Sequence, residues 1–229
     1  MIVDKDRYMK AKEAAGRAAA ELVQDGMIVG LGTGSTAVCF IDHLALRVRD
    51  GLRIQAVATS QASQNYAVQK RIPILDINDV LSIDLTVDGV DQIDPQKQMI
   101  KGAGGALLRE KIVAYMSREM IVVLDETKLV PKLGGHRVPV EIVPFAYKAT
   151  QFYLARNGYR GEVRMKEKSP YVTDNNNYII DVKLPDECDP VIAHAEIKSI
   201  PGVVESGLFL GMAGRIIIGF DNGNFEIRE

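Results

Sequence analysis

The chain has 229 residues, 47% hydrophobic and 25% charged, with a formal net charge of −2. This is enough for one large domain or two small ones with a sizeable core, and the charge gives no reason to expect nucleic acid or an anionic membrane as a partner. An anionic small substrate stays compatible, because a site needs only a few local cations.

No stretch approaches the length of a membrane span. The start, Met1-Ile2-Val3-Asp4-Lys5-Asp6, lacks the apolar run of a signal peptide. Cys39 and Cys188 are the only cysteines and have no metal-type spacing, so they read as free thiols of a reducing cytoplasm. His43, His136 and His194 are scattered, which argues against a histidine metal site.

In chain order, residues 8–24 are alanine-rich with apolar positions at helical spacing, and 27–31 suit a buried strand. Gly32, Thr33 and Gly34 form a turn, and Ser35 is placed to cap a helix running to residue 48. A strand at 54–58, a helix at 60–70, strands at 85–88 and 120–125 and a helix at 107–118 follow. Strands alternating with helices predict a mainly parallel sheet covered on both faces. Ligands of such sheets bind beyond the carboxyl ends of the strands, where Gly32, Asp88 and Asp125 fall.

The pattern changes after about residue 131. A strand at 137–143 stops at Pro144, and a helix at 146–157 stops at Gly158. Strands at 161–166 and 178–182 are joined by a polar segment containing Asn175, Asn176 and Asn177. A helix at 190–199 and a strand at 203–208 complete the order β-α-β-β-α-β of a ferredoxin-like unit. Strands at 215–220 and 225–228 then flank the Asp221-Asn222-Gly223 turn and return to the first domain. The expected division is 1–132 plus 209–229 for an α/β domain and 133–208 for the smaller α+β domain inserted before the C-terminal strands.

Four constellations carry chemistry. Gly30-Leu31-Gly32-Thr33-Gly34-Ser35-Thr36 follows a strand and opens a helix. Its glycines, the N–H groups of the helix start and the hydroxyls of Thr33, Ser35 and Thr36 suit a phosphate. Ser35 and Ala37 stand where a dinucleotide fingerprint needs glycine, and the G-K-[ST] ending of a P-loop is absent. Asp88 and Asp91 flank Gly89-Val90 at a strand end. They read either as turn acids bound to local backbone or as carboxylates that handle sugar hydroxyls and protons. Asp94, before Pro95, is turn chemistry. Lys101 with Gly102-Ala103-Gly104-Gly105 precedes a helix, and an ammonium and bare N–H groups there can stabilise an oxyanion. Glu110 reads equally as a surface residue in the run Arg109-Glu110-Lys111 and as a cleft carboxylate, since Ala106, Glu110 and Ala114 share one helical stripe. Lys128, after the strand ending at Asp125, can meet a phosphate or a sugar oxygen. Lys12 is weaker, because Lys5 and Lys10 crowd its face.

Taken together, G-x-G-T-G-S-T, D-G-x-D, K-G-x-G-x-A-L-x-R-E-K and V-P-V-E-I-V-P-F-A resemble the A-type ribose-5-phosphate isomerases, in order and over essentially the whole chain. The resemblance implies interconversion of ribose 5-phosphate and ribulose 5-phosphate, without metal or organic cofactor. It implies a Rossmann-like domain with a ferredoxin-like insertion, and a cytoplasmic homodimer, in some members a tetramer. By position Glu110 matches the catalytic base, Thr33, Gly34, Ser35 and Thr36 the first substrate loop, and Asp88, Gly89, Val90 and Asp91 the acidic turn. Lys101, Gly102, Ala103 and Gly104 match the glycine loop, Lys128 a further substrate lysine and Lys12 a phosphate contact. Three positions depart. Gln92 replaces a glutamate, Ala103 replaces a common glycine, and Ala58-Thr59-Ser60-Gln61 departs from a serine-rich loop, which puts a phosphate contact there in question.

The expected chemistry is transfer of a proton from carbon 2 to carbon 1 through a cis-enediol(ate), with Glu110 as base. Lys101 and the glycine loop stabilise the enediolate, Asp88 opens the sugar ring and Asp91 orients hydroxyls. The competing readings are a sugar-phosphate sensor, which needs no Glu110 or Lys101, and a nicotinamide oxidoreductase, which the defective fingerprint weakens. A related sugar-phosphate isomerase or acyl-transferring relative of similar fold is the third.

Overall fold

In a computed structural model of the chain, residues 8–229 are described; the Met1–Asp6 start and Lys5 lie outside them. The first elements alternate helix and strand: α1 (Met9–Glu21), β1 (Ile28–Leu31), α2 (Ser35–Arg49), β2 (Gln55–Ala58), α3 (Gln61–Gln69) and β3 (Leu85–Asp88). Two short strands, β4 (Gln92–Ile93) and β5 (Met99–Ile100), precede α4 (Leu107–Met116) and β6 (Met120–Asp125). Then come β7 (Arg137–Ile142), α5 (Tyr147–Arg156), β8 (Gly161–Val163), β9 (Met165–Lys166), β10 (Ser169–Pro170) and β11 (Tyr178–Lys183). The chain closes with α6 (Pro190–Ser199), β12 (Val203–Ser206), β13 (Leu208–Phe209), β14 (Ile216–Gly219) and β15 (Phe225–Arg228).

The chain divides into two units, one of residues up to Val90 with Arg109–Leu129 and Met212–Glu229, the other of Asp91–Leu108 with Val130–Gly211. The first is built on a six-stranded sheet of order β15-β14-β6-β3-β1-β2. All its pairings are parallel except β14 with β15. The apolar runs are buried throughout: every residue of β3, β6 and β14 is buried, as a sheet covered on both faces requires. Chain direction across the sheet reverses at β1, with β2 on one side and β3 then β6 on the other. The crevice past the ends of β1 and β3 is therefore the topological switch point, where α/β sheets bind ligands.

The second unit carries a four-stranded antiparallel sheet of order β12-β7-β11-β8. With α5 and α6 this is the βαββαβ arrangement expected from the element order. Its core packs Val138, Val140, Ile142, Leu154, Ile180 and Ile197. A second, three-stranded ladder of order β13-β5-β4 belongs to the same unit. It groups residues 91–108 with the second unit, because Met99 and Ile100 pair with Phe209 and Leu208.

Three local expectations are corrected, the first being the strand at 161–166, which breaks at Arg164 into β8 and β9 of different sheets. Ser35 is the first helical residue of α2, not its cap; Gly34 holds the cap position at φ +110° with no side-chain cap. The run 203–208 is not one strand but splits into β12 and β13 at Gly207, whose N–H turns to the Pro139 carbonyl.

Gly32 is required by close approach. A Cβ there would lie 2.6 Å from the Asp88 Cα, whereas at Gly89 the nearest atoms would be 3.9 Å away. Gly32→Ala is expected to lower unfolding free energy by about 1–3 kcal/mol, the usual cost of overpacking. Gly89→Ala is expected to stay within about 0.5 kcal/mol. Urea denaturation of the two variants checks the contrast.

Candidate active site

At the carboxyl edge of the parallel sheet, three features are held by the first unit. The Gly32 N–H continues the strand pairing by donating to the Val87 carbonyl at 2.9 Å. Asp88, at the end of β3, is fully buried. Its Oδ1 accepts the Thr33 N–H at 3.0 Å and the Gly89 N–H at 2.7 Å. Burying a carboxylate is costly; the two bonds to Oδ1 offset part of that cost and lock the turn after β1 to the end of β3.

Thr33 is held from its other side. Its hydroxyl lies 2.8 Å from both Thr59 Oγ1 and Ser60 Oγ and 3.2 Å from Ser63 Oγ. Ser63 Oγ donates in turn to the Gly32 carbonyl at 2.7 Å, and Thr59 Oγ1 to the Leu31 carbonyl at 3.1 Å. The segment Thr59-Ser60, which left a ligand contact in question, thus buttresses the loop after β1. Gly34 and Ser35 are exposed and Thr36 is half-buried at the start of α2. No side chain caps that start, so its first N–H groups are not taken by a capping side chain, a condition that suits an anion.

Glu110 is 3% exposed. The solvated-run reading of Arg109-Glu110-Lys111 does not hold for its middle member, although Arg109 and Lys111 are half-buried. The stripe of Ala106, Glu110 and Ala114 is buried as a whole. The level of Glu110 follows from how α4 is docked. Its C-terminal end sits at the start of β3, where Ile83 bonds with Met116 and Arg118. Val113 reaches the level of Gly30 and Thr86. From there Glu110 lies about 5 Å further along the helix axis, and Asp88 about 7 Å further along β3. Both carboxylates therefore reach the same edge of the sheet. Lys128 is half-buried in the short helix after β6, where Asp125 Oδ1 accepts the Thr127 N–H at 3.1 Å. Lys12 is half-buried on α1, near enough to Cys39 for its charge to favour that thiolate, although burial of the thiol dominates and raises its pKa.

The second unit holds Asp91, Lys101, Gly102, Ala103 and Gly104. Lys101 is 2% exposed. Its ammonium lies 5.5 Å from the centroid of the Phe209 ring, a cation–π distance. Its N–H donates to the Gly207 carbonyl at 2.9 Å. A solvated lysine on a flexible connector is excluded. Gly102 is buried, while Ala103 and Gly104 are exposed. Asp91 is half-buried and uses Oδ2 to accept the Ala103 N–H at 2.9 Å. Both acids of D-G-V-D therefore hold backbone, the bland half of their reading, and both sit beside loops with N–H groups. Val90, between them, is buried. Asp94 is turn chemistry as expected, accepting the N–H groups of Gln96 and Gln98.

Gln92 pairs both ends of its amide with Gly134, donating to its carbonyl at 2.9 Å and accepting its N–H at 3.1 Å. A glutamate could not make the donating half, which gives the departure a local structural reason. Arg164 and Tyr171 escaped the sequence reading, yet both touch the glycine loop. Arg164 Nη1 donates to the carbonyls of Gly102 and Ala103, each at 3.0 Å. Tyr171 packs where a Cβ on Gly105 would be. Among the described residues no group of three His, Cys, Asp or Glu is placed to hold a metal ion, and no helix is long and apolar enough to cross a membrane.

The sequence profile of the family described as Ribose 5-phosphate isomerase A (phosphoriboisomerase A) matches residues 55–223. The chain is 52% identical over 221 residues to Ribose-5-phosphate isomerase A of Protochlamydia amoebophila (strain UWE25), covering 96% of this chain and 95% of that one. It superposes with a TM-score of 0.89 and 36% identity on ribose 5-phosphate isomerase A from Methanocaldococcus jannaschii, over 95% and 97% of the two chains. A D-ribose-5-phosphate isomerase in complex with phospho-erythronic acid superposes with a TM-score of 0.90 and 38% identity, over the same shares.

The hydroxyl cluster gives a direct check on the loop. Thr33→Val leaves the hydroxyls of Thr59, Ser60 and Ser63 facing a methyl group and is expected to cost about 1–3 kcal/mol. Thr33→Ser keeps the oxygen and is expected to cost less than about 1 kcal/mol. Thermal and urea unfolding of both variants distinguish the two outcomes.

Proposed function

The chain belongs to the ribose 5-phosphate isomerase A family, whose enzymes interconvert ribose 5-phosphate and ribulose 5-phosphate, and we infer that Glu110 is the base that carries the proton in this reaction. The chain is an aldose–ketose isomerase of sugar phosphates. Aldose and ketose differ by a proton moved between adjacent carbons. A single carboxylate can take it from carbon 2 and return it to carbon 1 through a cis-enediol(ate). The observation that supports Glu110 is its burial: a glutamate between two basic neighbours on a helix is normally solvated, and this one is 3% exposed at the ligand edge of the sheet.

A carboxylate is a weak base against a carbon acid, so the enediolate must be stabilised as it forms. Lys101 supplies the cation and the glycine loop Gly102-Ala103-Gly104 the N–H groups. Water exclusion around a buried lysine strengthens that interaction. Asp88 transfers a proton to open the ring form of the sugar, and Asp91 orients hydroxyls. Gly89 and Val90 lie against the substrate between them. Thr33, Gly34, Ser35 and Thr36 receive the phosphate at the start of α2, with Lys128 and Lys12 as further cations. Binding the phosphate away from the reacting carbons fixes orientation without taking part in the chemistry. No step in this sequence calls on a metal or an organic cofactor. We propose that the enzyme acts in the cytoplasm as a homodimer.

Glu110→Gln keeps the shape of the side chain and removes the base. Turnover of ribose 5-phosphate is expected to fall at least about 10²-fold, with substrate binding largely kept. Steady-state kinetics with calorimetric binding checks this; near-normal turnover would remove Glu110 from the role.

A further inference from the structure

Arg164 lies between β8 and β9 in a run rich in charge, Glu162, Arg164, Lys166, Glu167 and Lys168, which gives no sign that it differs from its neighbours. In the fold it is the one of these side chains that reaches the glycine loop. Its Nε donates to Asp181 Oδ2 at 2.9 Å and its Nη2 to Asp181 Oδ1 at 2.5 Å, a two-pronged pairing that fixes the plane of the guanidinium. The remaining nitrogen, Nη1, takes the carbonyls of Gly102 and Ala103 together. The guanidinium also lies 6.0 Å from the centroid of the Tyr171 ring, and that ring fills the space beside Gly105.

A peptide unit is planar and trans, so its C=O and N–H point in opposite directions. Drawing the Gly102 carbonyl to Arg164 sends the Ala103 N–H the other way, and there it meets Asp91 Oδ2. Drawing the Ala103 carbonyl to the same nitrogen sends the Gly104 N–H to the Asp91 side as well. The Gly105 N–H is used within the loop by the Gly102 carbonyl. Among the described residues the Gly104 N–H has no protein acceptor, and Gly104 is exposed. Of the three successive N–H groups from Ala103 to Gly105, two are therefore committed to the protein and one is presented outward.

We propose that Arg164, braced by Asp181, is a positioning residue that aims the Gly104 N–H at the substrate oxygen that becomes negative during isomerisation. The inference rests on the reading of the glycine loop as an oxyanion cradle. It narrows that cradle to one peptide N–H and assigns its orientation to a side chain about sixty residues away in sequence. An ammonium cannot substitute: lysine has one nitrogen and no fork, and cannot meet both Asp181 oxygens and both carbonyls.

The test compares wild type with Arg164→Lys and Asp181→Asn. Three quantities are read: steady-state kinetics on ribose 5-phosphate, the affinities for phospho-erythronate and for inorganic phosphate, and the melting temperature. Phospho-erythronate carries a carboxylate whose charged oxygen resembles that of the enediolate, whereas inorganic phosphate reports only on the phosphate end. Arg164→Lys is expected to lower kcat about 10- to 100-fold with KM within about twofold, the scale of a misplaced catalytic group. Phospho-erythronate affinity falls with kcat while phosphate affinity is unchanged, and Asp181→Asn shows the same split in milder form. Unchanged kcat and phospho-erythronate affinity in folded Arg164→Lys would overturn the inference. So would a uniform loss of phosphate affinity, phospho-erythronate affinity and melting temperature in both variants, which marks a purely structural pair. Wild-type turnover in the same assay separates the two levels: its absence would remove the isomerase reading, while normal wild-type turnover with unaltered variants would remove only the role of Arg164.

Discussion

One buried carboxylate oxygen ties the first unit together at its functional edge. Asp88 Oδ1 accepts the N–H groups of Thr33 and Gly89, and so joins the turn after β1 to the end of β3 at the point where the sheet changes direction. That bond is possible only because Gly32 has no side chain to keep Asp88 at a distance. The opposite side of Thr33 is closed by the hydroxyls of Thr59, Ser60 and Ser63. The loop before α2 is thus pinned on both sides of Thr33, and pinning of this kind lowers the entropic cost of binding a ligand, the phosphate in the proposed reading.

The same logic governs the charges. Asp88, Lys101 and Glu110 are each 3% exposed or less. Removing three ionisable groups from water is unfavourable for folding, and a chain selected for stability alone would place apolar side chains there. Their concentration in two short stretches, each flanking a glycine-bearing turn, is where perturbed chemistry is expected. The second unit applies the principle to backbone as well as side chains: Asp91 and Arg164 hold opposite edges of the peptide joining Gly102 and Ala103, so the exposed Ala103 is held in place.

Much of this architecture is legible in the sequence, for reasons that can be named. The strand Met120–Asp125 and the helix Pro190–Ser199 fall where the sequence pattern puts them, and the structure adds the Asp189 side chain as the cap of that helix. The element order of the second unit reads as βαββαβ, and its sheet is β12-β7-β11-β8. What stayed hidden was either too short or too distant. The strands Gln92–Ile93 and Met99–Ile100 have two residues each, below the length at which alternation shows. Glu110 lies between Arg109 and Lys111, so local composition argues for exposure, and only packing decides otherwise. Arg164 contacts Gly102 across 62 positions of chain, and no local pattern marks that pairing. Residue preference points to Ser35 as the cap, whereas the positive φ of the cap position favours Gly34.

The central claim is that Glu110 moves a proton through an enediolate, and hydrogen exchange with solvent tests it most directly. Isomerisation in deuterium oxide is predicted to place solvent deuterium on carbon 1 of the ketose and carbon 2 of the aldose over repeated turnovers, with the exchange lost in Glu110→Gln. Sugars that stay free of solvent deuterium after many turnovers would indicate direct hydride transfer between the carbons. That result, or exchange persisting at the wild-type rate in Glu110→Gln, would contradict the account.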